Sequence, residues 1–363
     1  MAQSVVGLDI GSSGIRAAEF TIGRRSLSLR KFASVPLPPG AIRAGVVADV
    51  DAVVDALATL WSEGKFGTKD VVLALANASI LVRQMDLDWM PAADFRNALR
   101  YQVEDALPIP VDDANLDYHL LEDLDVEGEG GEMRRIARVL LVAASREMVD
   151  GFVEAVHQAG LRPLSVDIIP FALVRAIWAA DPDPAAPAEA IVDIGFDTVK
   201  VVVHQGGQPR YVRIIPGAGG DGITRALQDR YSWSWDDAER TKIKAGLPGH
   251  ADLDGAMPDA EGFEHPAQRL ILSEVETLVA EIRTTLEYFR GATQVPAPLS
   301  RVLLAGSGSQ LGGLEELLAT RLGVPVKSLS VVDRINMPRR LMLSEEDERA
   351  LVIPAGLCTG VAV

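Results

Sequence analysis

The chain has 363 residues, 48% hydrophobic and 24% charged, enough for roughly two globular domains with ample cores. Its formal charge of −16, from 35 Lys and Arg against 51 Asp and Glu, argues against nucleic acid as a partner and against direct docking on an anionic membrane surface. One cysteine, Cys358, excludes an intrachain disulfide framework, Asp9 breaks the N-terminal apolar run before a signal peptide forms, and no run of about 18 apolar residues is present, so a cytoplasmic location is expected.

Val5 to Ile10 reads as a strand that turns tightly through Gly11, Ser12, Ser13 and Gly14 into a second strand. Such a turn exposes backbone N–H groups and hydroxyls, which is what a chain of phosphate oxygens needs. Asp9 stands where the strand ends, and a carboxylate there can hold Mg²⁺ through water. Arg16, seven residues on, can offer charge-assisted bonds to phosphate. An ordinary β-hairpin with small turn residues has the same pattern, so this stretch alone leaves both readings open.

Ser26 to Val35 follows as a strand stopped by Pro36, Pro38 and Pro39. Asp51 to Trp61 reads as a helix with Val54, Leu57, Ala58 and Trp61 on one face, and Val71 to Ala76 and Ile80 to Leu87 read as strands. Pro91 to Leu107 is an amphipathic helix with Phe95, Leu99, Val103 and Ala106 on one stripe. Leu116 to Leu121 and Ile136 to Ala143 are expected strands joined by an acidic, Gly-rich loop, Glu122 to Glu132. Arg146 to Gly160 is a helix ended by glycine, Leu164 to Ile168 resumes the first sheet, and Phe171 to Ala179 is helical. About Met85 to Ala159 reads as a small α+β insertion.

Asp181 to Pro187 is a linker at the chain midpoint. Beyond it, Asp193-Ile194-Gly195 repeats Asp9-Ile10-Gly11, and Lys200 follows its aspartate by the same seven residues as Arg16. A strand–Asp–Gly–turn–strand opening in each half points to duplicated half-domains. Tyr211 to Ile215 is a strand leading into Gly217, Gly219, Gly220 and Gly222 and a helix from Ile223. That pattern resembles a dinucleotide fingerprint, but the acidic residue expected after a second parallel strand is missing, which favours a glycine turn beside phosphate or ribose. Asp236 to Gly246 is a helix with Glu239 and Lys242 on one face, where a surface ion pair is the plainer reading. Ala245 to Pro266 reads as a loop and Gln268 to Arg290 as the longest helix. Arg301 to Ala305 is a strand entering Gly306-Ser307-Gly308-Ser309 ahead of a helix from Leu311 to Leu322, a turn suited to close approach by a flat ring or sugar. Pro354 to Val363 is uncharged and rich in Ala and Gly.

This order of pieces resembles the nucleotide site of the actin/Hsp70/sugar-kinase superfamily. Within it the chain is similar to the PilM family of type IV pilus assembly proteins. The similar segments are Val82-Arg83-Gln84, Tyr101 to Glu104 through Pro108-Ile109-Pro110, Leu116-Asp117-Tyr118, Val139 to Ala144, Gly160 to Pro163 with Val166-Asp167, and Ala238 to Lys242 with Gly246-Leu247-Pro248. The resemblance implies an α/β, actin-like (ribonuclease H-like duplicated) fold with an inserted subdomain of the 1C type seen in FtsA. It implies subdomain 1A over 1–84 and 160–185, 1C over 85–159, 2A over 186–222 and 291–363, and 2B over 223–290. It also implies ATP and Mg²⁺ as cofactors. Asp9 and Asp193 would flank the hydrated ion. Gly11, Ser12, Ser13 and Arg16 would hold the β- and γ-phosphates from one side, and Gly195, Asp197 and Thr198 from the other. Gly219 and Gly220 would pass under ribose and α-phosphate, Glu239 and Lys242 would contact ribose and the adenine edge, and Gly306, Ser307 and Gly308 would face adenine.

Two positions depart from the family pattern. Arg16 stands where Lys is commoner, and Ile169 stands where relatives carry Glu near the attacking water. An alkyl group cannot orient or deprotonate water, so no catalytic residue is assigned and hydrolysis is expected to be absent or very slow unless another residue such as Asp167 serves. The resemblance implies a cytoplasmic scaffold at the inner face of the membrane, with other pilus machinery as further partners. It would bind the cytoplasmic N-terminal peptide of a PilN-like membrane protein in a groove lined by Ile80 to Met85 and the helix Pro91 to Leu107. An FtsA-like division protein would need a basic amphipathic C-terminal helix, which Pro354 to Val363 lacks, and a small-molecule kinase would need a carboxylate base that no segment offers.

Overall fold

The computed structural model describes residues 3–23, 26–127, 131–177, 183, 185–250, 259, 262–292, 298–338 and 341–361. Parts of the expected linker at 181–187 and of the expected loop at 245–266 lie outside them. The first half opens with β1 (Gln3–Ile10), β2 (Gly14–Ile22), β3 (Leu27–Pro36), the short pair β4 (Ile42–Arg43) and β5 (Val46–Val47), helix α1 (Val50–Gly64) and β6 (Asp70–Leu75). An inserted layer follows: β7 (Leu81–Asp88), α2 (Ala92–Gln102), β8 (Ala114–Glu127) and β9 (Met133–Ser145). The half closes with α3 (Arg146–Gln158), β10 (Arg162–Ile168) and α4 (Ile169–Ile177). The second half holds β11 (Ala188–Ile194), β12 (Thr198–Gln205), β13 (Gln208–Pro216), α5 (Gly220–Tyr231), α6 (Trp235–Ala245), α7 (Gln268–Ala292), β14 (Leu299–Ala305), α8 (Leu314–Leu322) and β15 (Val326–Ser328). The chain then adds β16 (Ile335–Asn336), α9 (Glu345–Ala350) and α10 (Val352–Val361).

The first sheet runs β10-β6-β1-β2-β3, extended by β16, and the second runs β15-β14-β11-β12-β13. In each, a hairpin pairs antiparallel with its third strand on one side and parallel with later strands on the other. This is the duplicated ribonuclease H-like arrangement that the two Asp-Ile-Gly openings predict. Helices α4 and α10 lie between the sheets, in one core with Val5 and Phe20 of the first and Ile191 and Val202 of the second. The close approach explains Gly7 and Gly356, where any Cβ would collide with the backbone of Pro354 and of Ala172. The stretch from Pro354 onward, read as an uncharged tail, is thus the inner helix α10. Its lack of charge reflects burial on most sides.

The face of one helix and the end of another are corrected. The buried stripe of α1 is Val53, Leu57 and Leu60, while Ala58 is exposed and Val54 and Trp61 are half-buried. Helix α2 ends at Gln102 and passes into a 3₁₀ turn over Glu104–Ala106. Its Phe95 and Leu99, with Val103, fill the insertion's own core with Leu87, Val139 and Leu141, as the apolar stripe predicts. The insertion is a three-stranded sheet, β7-β9-β8. Helix α3, expected inside it, instead packs Met148, Phe152, Ala155 and Val156 into the core of α1 and the first sheet. Strand β8 continues to Glu127, beyond the expected loop start at Glu122.

Candidate functional site

The hairpins β1–β2 and β11–β12 end at one cleft between the halves, and their turns are built alike. Asp9 is paired in register with Arg16, and Asp193 with Lys200. Gly11 donates its N–H to Gly14 O at 3.0 Å, and Gly195 donates its N–H to Thr198 O at 2.9 Å, at the same offsets from the aspartate. The cleft lies at the carboxyl ends of β1 and β11, where open α/β sheets present their ligand sites. It encloses about 930 Å³ of space counting its open mouth.

Both carboxylates are buried, Asp9 at 5% exposure and Asp193 at 2%. Each is faced by the cation of its own second strand: Arg16 Nη1 is 3.7 Å from Asp9 Oδ2, and Lys200 Nζ is 2.9 Å from Asp193 Oδ2. Burial pushes the Asp9 carboxyl above its ordinary value of 3.8; the charges of Arg16 and Lys200 pull it back, and that of Asp193 pushes it further up. The aspartates of the two halves therefore feel one another across the cleft. Asp193 Oδ2 is buried against the Lys200 ammonium with no aligned hydrogen bond beside that ion pair. The turns also touch: Ser12 Oγ donates to Asp197 Oδ2 at 2.8 Å.

Of the residues singled out in the sequence, Asp9, Gly11, Ser12, Ser13, Arg16, Asp193, Gly195, Asp197, Thr198, Gly306 and Ser307 line this cleft. Gly306 has φ +82, and a Cβ there would stand 2.6 Å from Asp193 Oδ1, so only glycine allows the strand end to close on the carboxylate. Gly219, Gly220, Glu239, Lys242 and Gly308 are not among the residues that line it. Gly219 caps α5, whose first N–H groups, from Gly220 and Asp221, donate to Gly195 O and Phe196 O of the second hairpin. A Cβ on Gly220 would lie 3.7 Å from both Gly308 Cα and Lys242 Nζ, so these residues form one junction. Lys242 Nζ donates to Gly220 O at 3.0 Å, Thr224 Oγ1 at 2.9 Å and Glu239 Oε2 at 2.7 Å. The Glu239–Lys242 pair is thus a partly buried tie between α5 and α6, not a plain surface pair.

The sequence reading missed Glu346 and Arg349 of α9 and Gln310, which close the cleft from the far end of the chain. The available signal was Ser344-Glu345-Glu346-Asp347, a capping box that marks a helix start. Lys200 was matched to Arg16 but not placed in the site, where it lies against Asp193. Ile169, first residue of α4, lines the cleft with its alkyl side chain. Asp167, the alternative carboxylate, instead pairs with Arg175 and is absent from the cleft lining.

A second cavity opens between the insertion and the first half. Its walls are Asp117, Tyr118 and His119 of β8 on one side and Ser165, Asp167, Phe171 and Arg175 on the other. His119 Nε2 is enclosed with no hydrogen bond, and burial, then Arg175 and Arg210, lowers the pKa of its ring. Ile80 to Met85 and α2, expected to line a groove, are not among its walls.

A family profile described as type IV pilus assembly protein PilM matches residues 7–358. The chain belongs to the PilM family. A solved structure of a PilM–PilN type IV pilus biogenesis complex superposes with TM-score 0.83 over 100% of this chain and 99% of that one, at 26% identity. The cell-division protein FtsA of Neisseria meningitidis is 25% identical over 336 residues, 83% of this chain and 79% of that protein. FtsA of Escherichia coli is 26% identical over 231 residues, with 53% of its length covered. MreB 5 of Spiroplasma citri bound to AMPPNP superposes with TM-score 0.56 at 12% identity over 98% of this chain and 95% of that one, which shows the shared fold. The PilM family chain is therefore an actin-like protein of type IV pilus assembly. Among the described residues, no helix is long and apolar enough to cross a membrane.

Proposed function

We propose that the chain is an ATP-binding scaffold on the cytoplasmic side of the pilus inner-membrane platform, and that it binds the cytoplasmic N-terminal peptide of a PilN-like membrane protein. The observation that carries the nucleotide half is the pair of like-built hairpins, each bringing a buried carboxylate and a cation to one cleft. The donor set fits Mg·ATP. The described residues hold no cluster of three or more His, Cys, Asp or Glu able to grip a metal alone, so Asp9 and Asp193 suit an ion that keeps waters and phosphate oxygens. Such an ion would supply charge neutralisation for the triphosphate. Arg16 and Lys200 would balance the rest. Ser12 and Asp197 would give up their mutual bond to admit the phosphates between the turns, and Gly306 lets the end of β14 close on Asp193.

Hydrolysis is not expected to be the output. Ile169 offers no base and Asp167 is held by Arg175 away from the cleft, so turnover should stay on the order of 10⁻³ per second or below, near the intrinsic rate of a nucleotide switch that lacks its arginine finger. For the partner half, the cavity between β8 and α4 combines a rim of aromatic and charged groups with an unpartnered imidazole nitrogen, features that suit a short extended peptide. The relative solved as a PilM–PilN complex supports this choice of partner.

The test is titration of a labelled synthetic peptide, the N-terminal cytoplasmic segment of the PilN-like protein from the same genome, with and without Mg·ATP. Saturable one-to-one binding that Arg175→Ala weakens at least tenfold is expected. No binding at millimolar peptide, or binding indifferent to cavity substitutions, would overturn the partner assignment.

A further inference from the structure

The two walls of the cavity are anchored to different parts of the fold. One wall is β10 of the first sheet with α4, which packs between the two sheets and begins in the cleft at Ile169. The other wall is β8, and β8 is fastened to the second half. Gln208, at the start of β13, donates its side-chain amide to the carbonyls of Leu120 at 3.3 Å and Leu121 at 3.0 Å. Arg210 donates to Glu122 Oε1 at 3.0 Å. The grip falls where the β8–β9 register shifts between Leu120 and Glu122, leaving Leu121 without a register partner in β9. Arg138 of β9 backs Glu122 at 3.7 Å while holding Asp86 of β7 with a two-pronged bond at 2.7 and 2.9 Å, which spreads the grip across the inserted sheet. The stems of Arg210 and Arg138 are mostly covered while Glu122 and Asp86 stand at the surface, so the grip rests on its hydrogen-bond geometry more than on charge.

Strand β13 is itself tied to the cleft. It pairs along its length with β12, which carries Thr198 and Lys200 at the site. A change in separation of the two hairpins therefore moves β13, and β13 holds β8.

We propose that Gln208 and Arg210 are positioning residues that make β8 travel with the second half, so that the width of the β8–α4 cavity follows the opening and closing of the nucleotide cleft. The proposal rests on the reading that the cleft binds nucleotide. A ligand that closes the cleft would set the cavity, and by linkage a peptide in the cavity would alter nucleotide affinity by the same factor.

Hydrogen–deuterium exchange on the full chain, with and without Mg·AMPPNP, tests it. In the wild-type protein the nucleotide should change exchange both in the cleft turns, 10–14 and 194–198, and in β8 over 115–122. In Arg210→Gln and in Gln208→Ala the cleft response should persist while the β8 response is lost, and Arg210→Lys, which keeps the charge, should restore most of it. Unchanged exchange elsewhere separates lost coupling from lost folding. A cleft response with no β8 response in the wild type, or a β8 response that survives in both variants, overturns the coupling alone. Absence of any response in the cleft turns overturns the nucleotide reading, and the coupling with it.

Discussion

Lys200→Met should be among the most damaging single changes at the cleft. Lys200 is 7% exposed and Asp193 2% exposed, and the ammonium lies 2.9 Å from the carboxylate. Removing the cation leaves a buried aspartate whose Oδ2 already has no aligned hydrogen bond. Stranding one partner of a buried pair costs about 3–5 kcal/mol, whereas breaking an exposed pair such as Arg283–Glu287, at 4.0 Å, costs below about 1 kcal/mol. The double variant Asp193→Asn/Lys200→Met removes both charges and should recover about half the loss or more. Urea unfolding followed by circular dichroism, in the absence of nucleotide, reads both numbers from midpoints at a shared slope. A Lys200→Met loss below about 1 kcal/mol, or a double variant no more stable than the single, would refute the claim that Asp193 sits as a desolvated charge poised for a counter-ion.

Three further outcomes follow from the same geometry. Gly306→Ala should destabilise the protein by about 1–3 kcal/mol through its positive φ and its contact with Asp193 Oδ1, and should abolish binding of a fluorescent ATP analogue; an alanine variant that binds normally would contradict the close strand end. Burial raises the Asp9 carboxyl, so its ionised form opposes folding at neutral pH, and that opposition fades as pH falls through the raised value. Asp9→Asn should therefore increase unfolding midpoints at pH 7 while removing the Mg²⁺ dependence of nucleotide binding. His204, buried in β12, titrates at about 4 instead of 6.5, so the folded state resists its protonation. Its neutral-form stability is intact above the unfolded value and is lost as pH falls from 6.5 towards 4, by roughly 3 kcal/mol, and a stability–pH curve of His204→Gln should be flatter across that window.

The parts of this molecule that were legible in its sequence are those whose signals are local. The two Asp-Ile-Gly turns carry strand, break and cation within eight residues, and the register Asp9–Arg16 and Asp193–Lys200 follows from hairpin geometry once the turn is fixed. In α7, Ile271, Val275, Leu278, Ile282, Leu286 and Phe289 recur at helical spacing over a stretch long enough for periodicity to decide, and all six are buried. In α1, adjacent Val53 and Val54 leave the pattern one residue free to rotate, and only packing against the first sheet selects Val53. The acidic end of β8 read as loop because its carboxylates lack local partners; Arg210, Arg138 and Arg135 supply them from β13 and β9. Glu346 and Arg349 reach the cleft from more than a hundred residues beyond the second hairpin, a distance no spacing rule spans.

The most direct test of the whole account is calorimetric titration of ATP into the purified chain, with Mg²⁺ and with EDTA, alongside Asp9→Asn and Asp193→Asn. One nucleotide per chain, with affinity that falls at least tenfold when either the ion or either carboxylate is removed, is the predicted result. Binding that ignores Mg²⁺ and both substitutions, or no binding at millimolar ATP, would contradict a site formed by one carboxylate hairpin from each half.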